Sequence, residues 1–124
     1  MKKKSELILR NILFKKRPVD LKINSEIEEW LIKIGSSELI LPALYFNILT
    51  KQIKHYFSDE FINYLKYIFN ENYKRNKILK SEIKQIESIL ADLDIIFIKG
   101  SFLIVNDYVK AEERMIGDID FLFK

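Results

Sequence analysis

Between Ser58 and Leu93 the chain carries neither glycine nor proline. A stretch of that length without a breaker, with apolar residues at helical spacing, reads as one long helix. Phe61, Leu65, Ile68 and Phe69 form the first half of its apolar stripe. Leu79, Ile83, Ile86, Leu90 and Leu93 form the second. Ser58 is the expected N-cap, followed by Asp59 and Glu60 where the helix dipole favours acids. Asn70-Glu71-Asn72 is the point at which the helix is expected to kink or divide.

Upstream of Ser58 the pattern predicts shorter helices. Ser5 is a candidate cap for a first one, which Arg17-Pro18 should end, because the residue before proline is pushed out of helical geometry. Ser25 with Glu28 has the spacing of a capping box for a second, and Gly35 is its expected stop. Ser36 or Ser37 should begin a third, with Pro42 near its first turn.

Composition narrows the class. Nearly half the residues are hydrophobic, enough for a packed core. There is no cysteine, so disulfide frameworks and thiolate metal sites are excluded. No apolar run approaches the roughly 18 residues that span a bilayer. No small-residue cleavage site follows the basic Met1-Lys4 start, so a cytoplasmic, unexported protein away from membranes is expected. The net charge of +3 is a mild surplus, and the basic clusters at Lys2-Lys4, Lys15-Arg17 and Lys74-Lys80 read as solvated surface rather than a nucleic-acid interface. His55 reads as a surface or packing residue, and Trp30, Tyr64, Tyr67, Phe69 and Tyr73 as helical packing residues.

After Asp94 the texture changes. Ile95-Ile96-Phe97-Ile98 has the look of a buried strand, and Gly100 ends it. Ser101 to Tyr108 has a helical pattern, Lys110 to Gly117 is loop-like, and Asp118 to Phe123 alternates as a strand does. The expectation is an α+β protein, with a helical region over 1–93 and a small strand-helix-strand unit over 94–124.

That unit carries the chemistry. On a strand, Asp118 and Asp120 project from one face while Ile119, Phe121 and Phe123 share the core face. Two ionised carboxylates side by side repel each other unless a cation lies between them. Hard divalent ions such as Mg²⁺ take oxygen ligands of this kind. Gly100 at a strand-to-helix turn would let the backbone approach a phosphate, with the Ser101 hydroxyl as a further donor. A phosphate cradle beside a carboxylate pair is what metal-assisted nucleotidyl transfer requires. The plainer alternatives are two solvated acids, a simple turn with a cap, and structural ion pairs from Lys99 and Arg114.

The set Lys99-Gly100-Ser101, Tyr108, Arg114 and Gly117-Asp118-Ile119-Asp120 resembles, in order and spacing, the uncharacterised nucleotidyltransferase family of the DNA polymerase beta-like superfamily. Leu41-Pro42 and Asn76 in the helical lead-in resemble the family's N-terminal part. The resemblance implies that Gly100 and Ser101 hold the triphosphate of an NTP and that Asp118 and Asp120 hold two Mg²⁺. Lys99 and Arg114 would contact phosphate or support the site. The product would be a nucleoside monophosphate joined to an acceptor whose identity the residues do not reveal.

In this superfamily a later strand supplies a third carboxylate as base and metal ligand. The sequence shows no such strand after Asp120, and Asp92 and Asp94 precede the first strand. Two expectations follow: an enzyme completed by a further segment or subunit, or a non-catalytic interaction protein. In both, an exposed strand edge is a pairing template for a second copy or a completing subunit.

Overall fold

A computed structural model describes residues 1–107 and 114–123. Helices α1 (Lys2–Phe14), α2 (Ser25–Ser37), α3 (Leu41–Thr50) and α4 (Asp59–Ile89) come first, with a 3₁₀ turn at Lys54–Tyr56. Strand β1 (Ile95–Ile98), helix α5 (Lys99–Val105) and strand β2 (Asp120–Phe123) follow, giving an α+β protein. Tyr108, Lys110 to Glu113 and Lys124 lie outside the described residues.

The helix α4 is unbroken over 31 residues, about 46 Å at 1.5 Å per residue. Ser58 caps it, its Oγ accepting from the Phe61 N–H at 3.2 Å. Asn70 to Asn72 do not divide it; Asn72 is buried, and its side-chain amide donates to the Arg114 carbonyl at 3.1 Å.

Other starts and stops depart from the local signals. Ser5 does not cap α1; it lies inside the helix, fully buried, with its hydroxyl donating to the Met1 carbonyl at 2.9 Å. A buried hydroxyl needs a partner, and the carbonyl one turn back supplies it. The helix ends at Phe14, and the Lys51 ammonium donates to the Ile12 carbonyl in its last turn. Burial pushes the Lys51 amine below its ordinary range.

Helix α2 is capped by Asn24, whose Oδ1 accepts from the Ile27 N–H at 2.9 Å. The Ser25 and Glu28 box does not form. The Glu28 carboxylate accepts instead from the Ser58 N–H and hydroxyl, at 3.1 and 2.8 Å, tying α2 to the start of α4. Gly35 does not stop α2, which runs on to Ser37. A Cβ at Gly35 would stand 2.5 Å from Leu41 Cδ2, so glycine is there for helix packing. Leu39, at φ 58°, makes the turn into α3, which starts at Leu41 rather than Ser36 or Ser37. Pro42 sits in its first turn as expected.

Two cores share α4. Ile12, Ile27, Leu31, Leu44, Ile48 and Leu65 are fully buried in the first, between α1, α2, α3 and the opening half of α4. Leu79 and Ile83 from the second half pack with Phe97, Ile104 and Ile116 in the other. The second half of α4 is therefore the floor on which the strand-helix-strand unit rests.

The strands pair antiparallel, with Ile95 opposite Phe123, Ile96 opposite Leu122, Phe97 opposite Phe121 and Ile98 opposite Asp120. The Phe97 and Phe121 rings meet edge to face at 6.1 Å. Strand β2 begins at Asp120, not Asp118. Ile98 is the last residue of β1, so no ladder partner remains for 118 and 119. Ile119 and Phe121 pack on the second core, but Phe123 is 66% exposed at the far end of the ladder. A two-stranded sheet has no neighbour to cover that end.

Candidate active site

The turn from β1 into α5 is made by Lys99, at φ 55°. For a non-glycine residue this left-handed geometry is uncommon and costs about 1–2 kcal/mol. Gly100, the expected site of backbone freedom, has no positive φ. Its bare Cα serves packing: a Cβ there would stand 3.2 Å from both Cγ atoms of Ile116. Ile116 is 4% exposed, and seating it over Gly100 fixes the segment that leads to the acids.

Ser101 is fully buried in the first turn of α5. Its Oγ accepts from the Asp120 N–H at 3.0 Å and donates to the Asp118 carbonyl at 3.4 Å. One hydroxyl thus bridges the backbone of Asp118 and Asp120 at the point where the ladder stops. The backbone of the acid pair is pinned to the helix that follows β1.

A second grip comes from α4. The Asn72 and Asn76 amide nitrogens both donate to the Arg114 carbonyl, at 3.1 and 2.6 Å. Arg75 Nη2 donates to the Gly117 carbonyl at 3.3 Å. These residues lie three and four apart, on one face of the helix. No role for them followed from the sequence, although a signal was present. Asn72 and Asn76 fall on the apolar stripe between Phe69 and Leu79, and a buried amide on such a stripe needs a partner.

The result is a polar depression of about 200 Å³, lined by Gly100, Arg114, Met115, Ile116, Gly117, Asp118 and Asp120. Both acids, Gly100 and Arg114 are therefore brought together. Ser101 lies beneath, holding the wall, and Lys99 is exposed on the adjoining turn. Asp118 is exposed and Asp120 half-buried. Among the described residues, no group of three or more acidic, histidine or cysteine side chains is placed to hold a metal. Asp94 lines a different depression, with Glu87 and Leu90. It precedes Ile95, at the end of β1 opposite Ile98, roughly 13 Å along the strand from the position paired with Asp120.

The basic cluster on α4 is engaged within the protein. Lys74 pairs with Glu71 at 3.4 Å, Lys77 lies over the Tyr73 ring, and Lys80 bonds the Asp107 carboxylate at 2.7 Å. The Lys80 hydrogen bond and charge, with Lys84 nearby, hold the Asp107 carboxyl below its ordinary range. The His55 ring rests against Tyr56, 4.3 Å away. Among the described residues no helix is long and apolar enough to cross a membrane.

Comparison with known proteins gives a family match. A family described as an uncharacterised nucleotidyltransferase matches residues 24–124, everything after the first 23 residues. No curated protein and no solved structure matches the chain. The match spans α2, α3, the whole of α4 and both grips on the acid pair, and on that extent the chain belongs to the uncharacterised nucleotidyltransferase family.

Proposed function

We propose that the depression beside Gly100 binds an NTP with Mg²⁺, using Asp118 and Asp120 as the metal ligands. The observation that carries this reading is the gathering of two acids, Gly100 and Arg114 around one polar hollow. The donor set fits the ion. Mg²⁺ is held by one or two carboxylates, with substrate phosphates and water supplying the rest of its octahedron. Asp118 and Asp120 provide the carboxylate share. The Arg114 guanidinium and the backbone at Gly100 face phosphate, and Lys99 adds positive charge at the rim.

When bound, the metal neutralises the triphosphate and favours loss of pyrophosphate. In the transfer itself, an acceptor hydroxyl oxygen bonds the α-phosphorus. The bond from that phosphorus to the β-bridging oxygen breaks, and the hydroxyl proton passes to a base. Among the described residues no third carboxylate joins the pair, and the proposal takes the base from a further segment or a partner subunit. Calorimetric titration of Mg²⁺ and ATP, separately and together, tests the binding claim. The parent binds ATP only with the metal, and Asp118→Ala and Asp120→Ala each abolish that dependence. Equal binding by both variants and the parent removes the proposal.

One observation favours a second reading, a non-catalytic interaction protein. Ile96 and Leu122 form a ladder pair on the sheet face away from the second core, 57% and 59% exposed, and among the described residues each strand of the two-stranded sheet has one edge without a neighbour. An open edge is a template for pairing with another strand, and the exposed Ile96 and Leu122 side chains would add apolar area to such a contact. Light scattering discriminates: a concentration-dependent dimer supports it, and a monomer at high concentration removes it.

A further inference from the structure

We infer that Arg75 is a positioning residue for the acid pair, acting through the backbone on the α4 side of Asp118. The inference rests on the metal-site reading above. The Asp118 α-carbon lies between two peptide units, and each has a side chain fastened to it. The unit before it offers the Gly117 carbonyl, which accepts from Arg75 at 3.3 Å. The unit after it offers the Asp118 carbonyl, which accepts from Ser101 at 3.4 Å. Upstream, Asn72 and Asn76 fasten the Arg114 carbonyl to the same helix. The segment from Arg114 to Asp118 has no ladder of its own. Its course is set by a rigid helix on one side and a buried hydroxyl on the other. Helix-borne supports of this kind hold a site more tightly than loop contacts do.

The three α4 side chains differ in what they can reveal. Asn72 and Asn76 are buried at the junction of the two cores, so their removal disturbs the fold. Arg75 is exposed and does not line the depression, so its replacement removes neither a core side chain nor a metal ligand. It is the residue with which positioning separates from folding. Arg75→Lys keeps the charge and one donor, which distinguishes the hydrogen bond from the electrostatic field.

The test uses the whole chain as parent, Arg75→Ala and Arg75→Lys. Amide hydrogen exchange of Asp120, whose N–H is bonded to Ser101 Oγ, is measured without metal, and Mn²⁺ affinity is measured with ATP. Arg75→Ala is expected to speed exchange at this amide about fivefold, with a comparable loss of Mn²⁺ affinity. Exchange in the first half of α4 stays at the parent rate, and Arg75→Lys recovers part of both effects. Unchanged exchange in Arg75→Ala overturns the inference while leaving the metal site standing. Exchange that quickens equally throughout the chain also overturns it, as general destabilisation. A parent that binds no Mn²⁺ with ATP refutes the proposed function, and the exchange comparison still decides whether Arg75 positions the acids.

Discussion

Replacing Ser101 by alanine separates two roles for its hydroxyl. If it is chiefly a phosphate donor, its loss touches nucleotide binding alone. The structure shows a group with no exposure, accepting from the Asp120 N–H at 3.0 Å. The second bond, to the Asp118 carbonyl, is the longer at 3.4 Å, so the larger share of the loss falls on the Asp120 N–H. Alanine fits the same space but leaves the Asp120 N–H without that acceptor. A partner lost in this way costs about 1–3 kcal/mol. Near the middle of that range the melting temperature falls by roughly 5–10 °C for a domain of this size. Circular dichroism melts and urea unfolding of Ser101→Ala measure it. A variant that melts within about 1 °C of the parent, and loses only ATP binding, would refute the bracing role and restore the hydroxyl to the phosphate.

Gly100→Ala forces a methyl against both Cγ atoms of Ile116 and should cost about 1–2 kcal/mol; an unchanged urea midpoint would deny that contact. Lys99→Gly relieves the left-handed backbone at φ 55°, and against the added chain entropy of glycine it should stabilise by about 0.5 kcal/mol. A lower midpoint would mean that the Lys99 side chain does more for the fold than its backbone costs. The Asp107 carboxyl is held low by Lys80, so its contribution is present above the ordinary carboxylate range and is lost as the pH falls through its depressed value. Acid unfolding of Lys80→Ala should therefore show a weaker dependence on pH in that window, and an identical acid limb would contradict the pairing.

What the sequence made legible follows the range of each interaction. Ser58 was readable because its bond to the Phe61 N–H is local, and its hydroxyl can donate to Glu28 while still accepting that bond. The limits of β1 were readable because a β-branched run between Asp94 and Gly100 has one plausible conformation. Ser5, Ser25 and Gly35 carried the same kind of signal and did something else. Ser5 is buried inside α1, Glu28 is taken by Ser58, and Gly35 admits Leu41. Each outcome depends on a residue distant in the chain, so a local rule could not find it.

The site divides in the same way. Alternation placed Asp118 and Asp120 on one strand face; only Asp120 is in the strand, yet with Gly100 and Arg114 both acids line one hollow. The roles within it were not legible. The strained turn falls on Lys99, Gly100 accommodates Ile116, and Ser101 faces the strand backbone. The bonds made by Asn72, Arg75 and Asn76 were not legible, because their partners lie about 40 positions further on.

Paramagnetic broadening by Mn²⁺ in the presence of ATP tests the central claim most directly, because it reports where the ion sits rather than whether something binds. Amide signals of Gly100 and of Gly117 to Asp120 are expected to broaden first, at substoichiometric metal, and to stay sharp in Asp118→Ala. Broadening that begins instead around Glu87 and Asp94, or around Glu28, Glu29 and Glu60, which border other hollows, would contradict a metal site at Asp118 and Asp120.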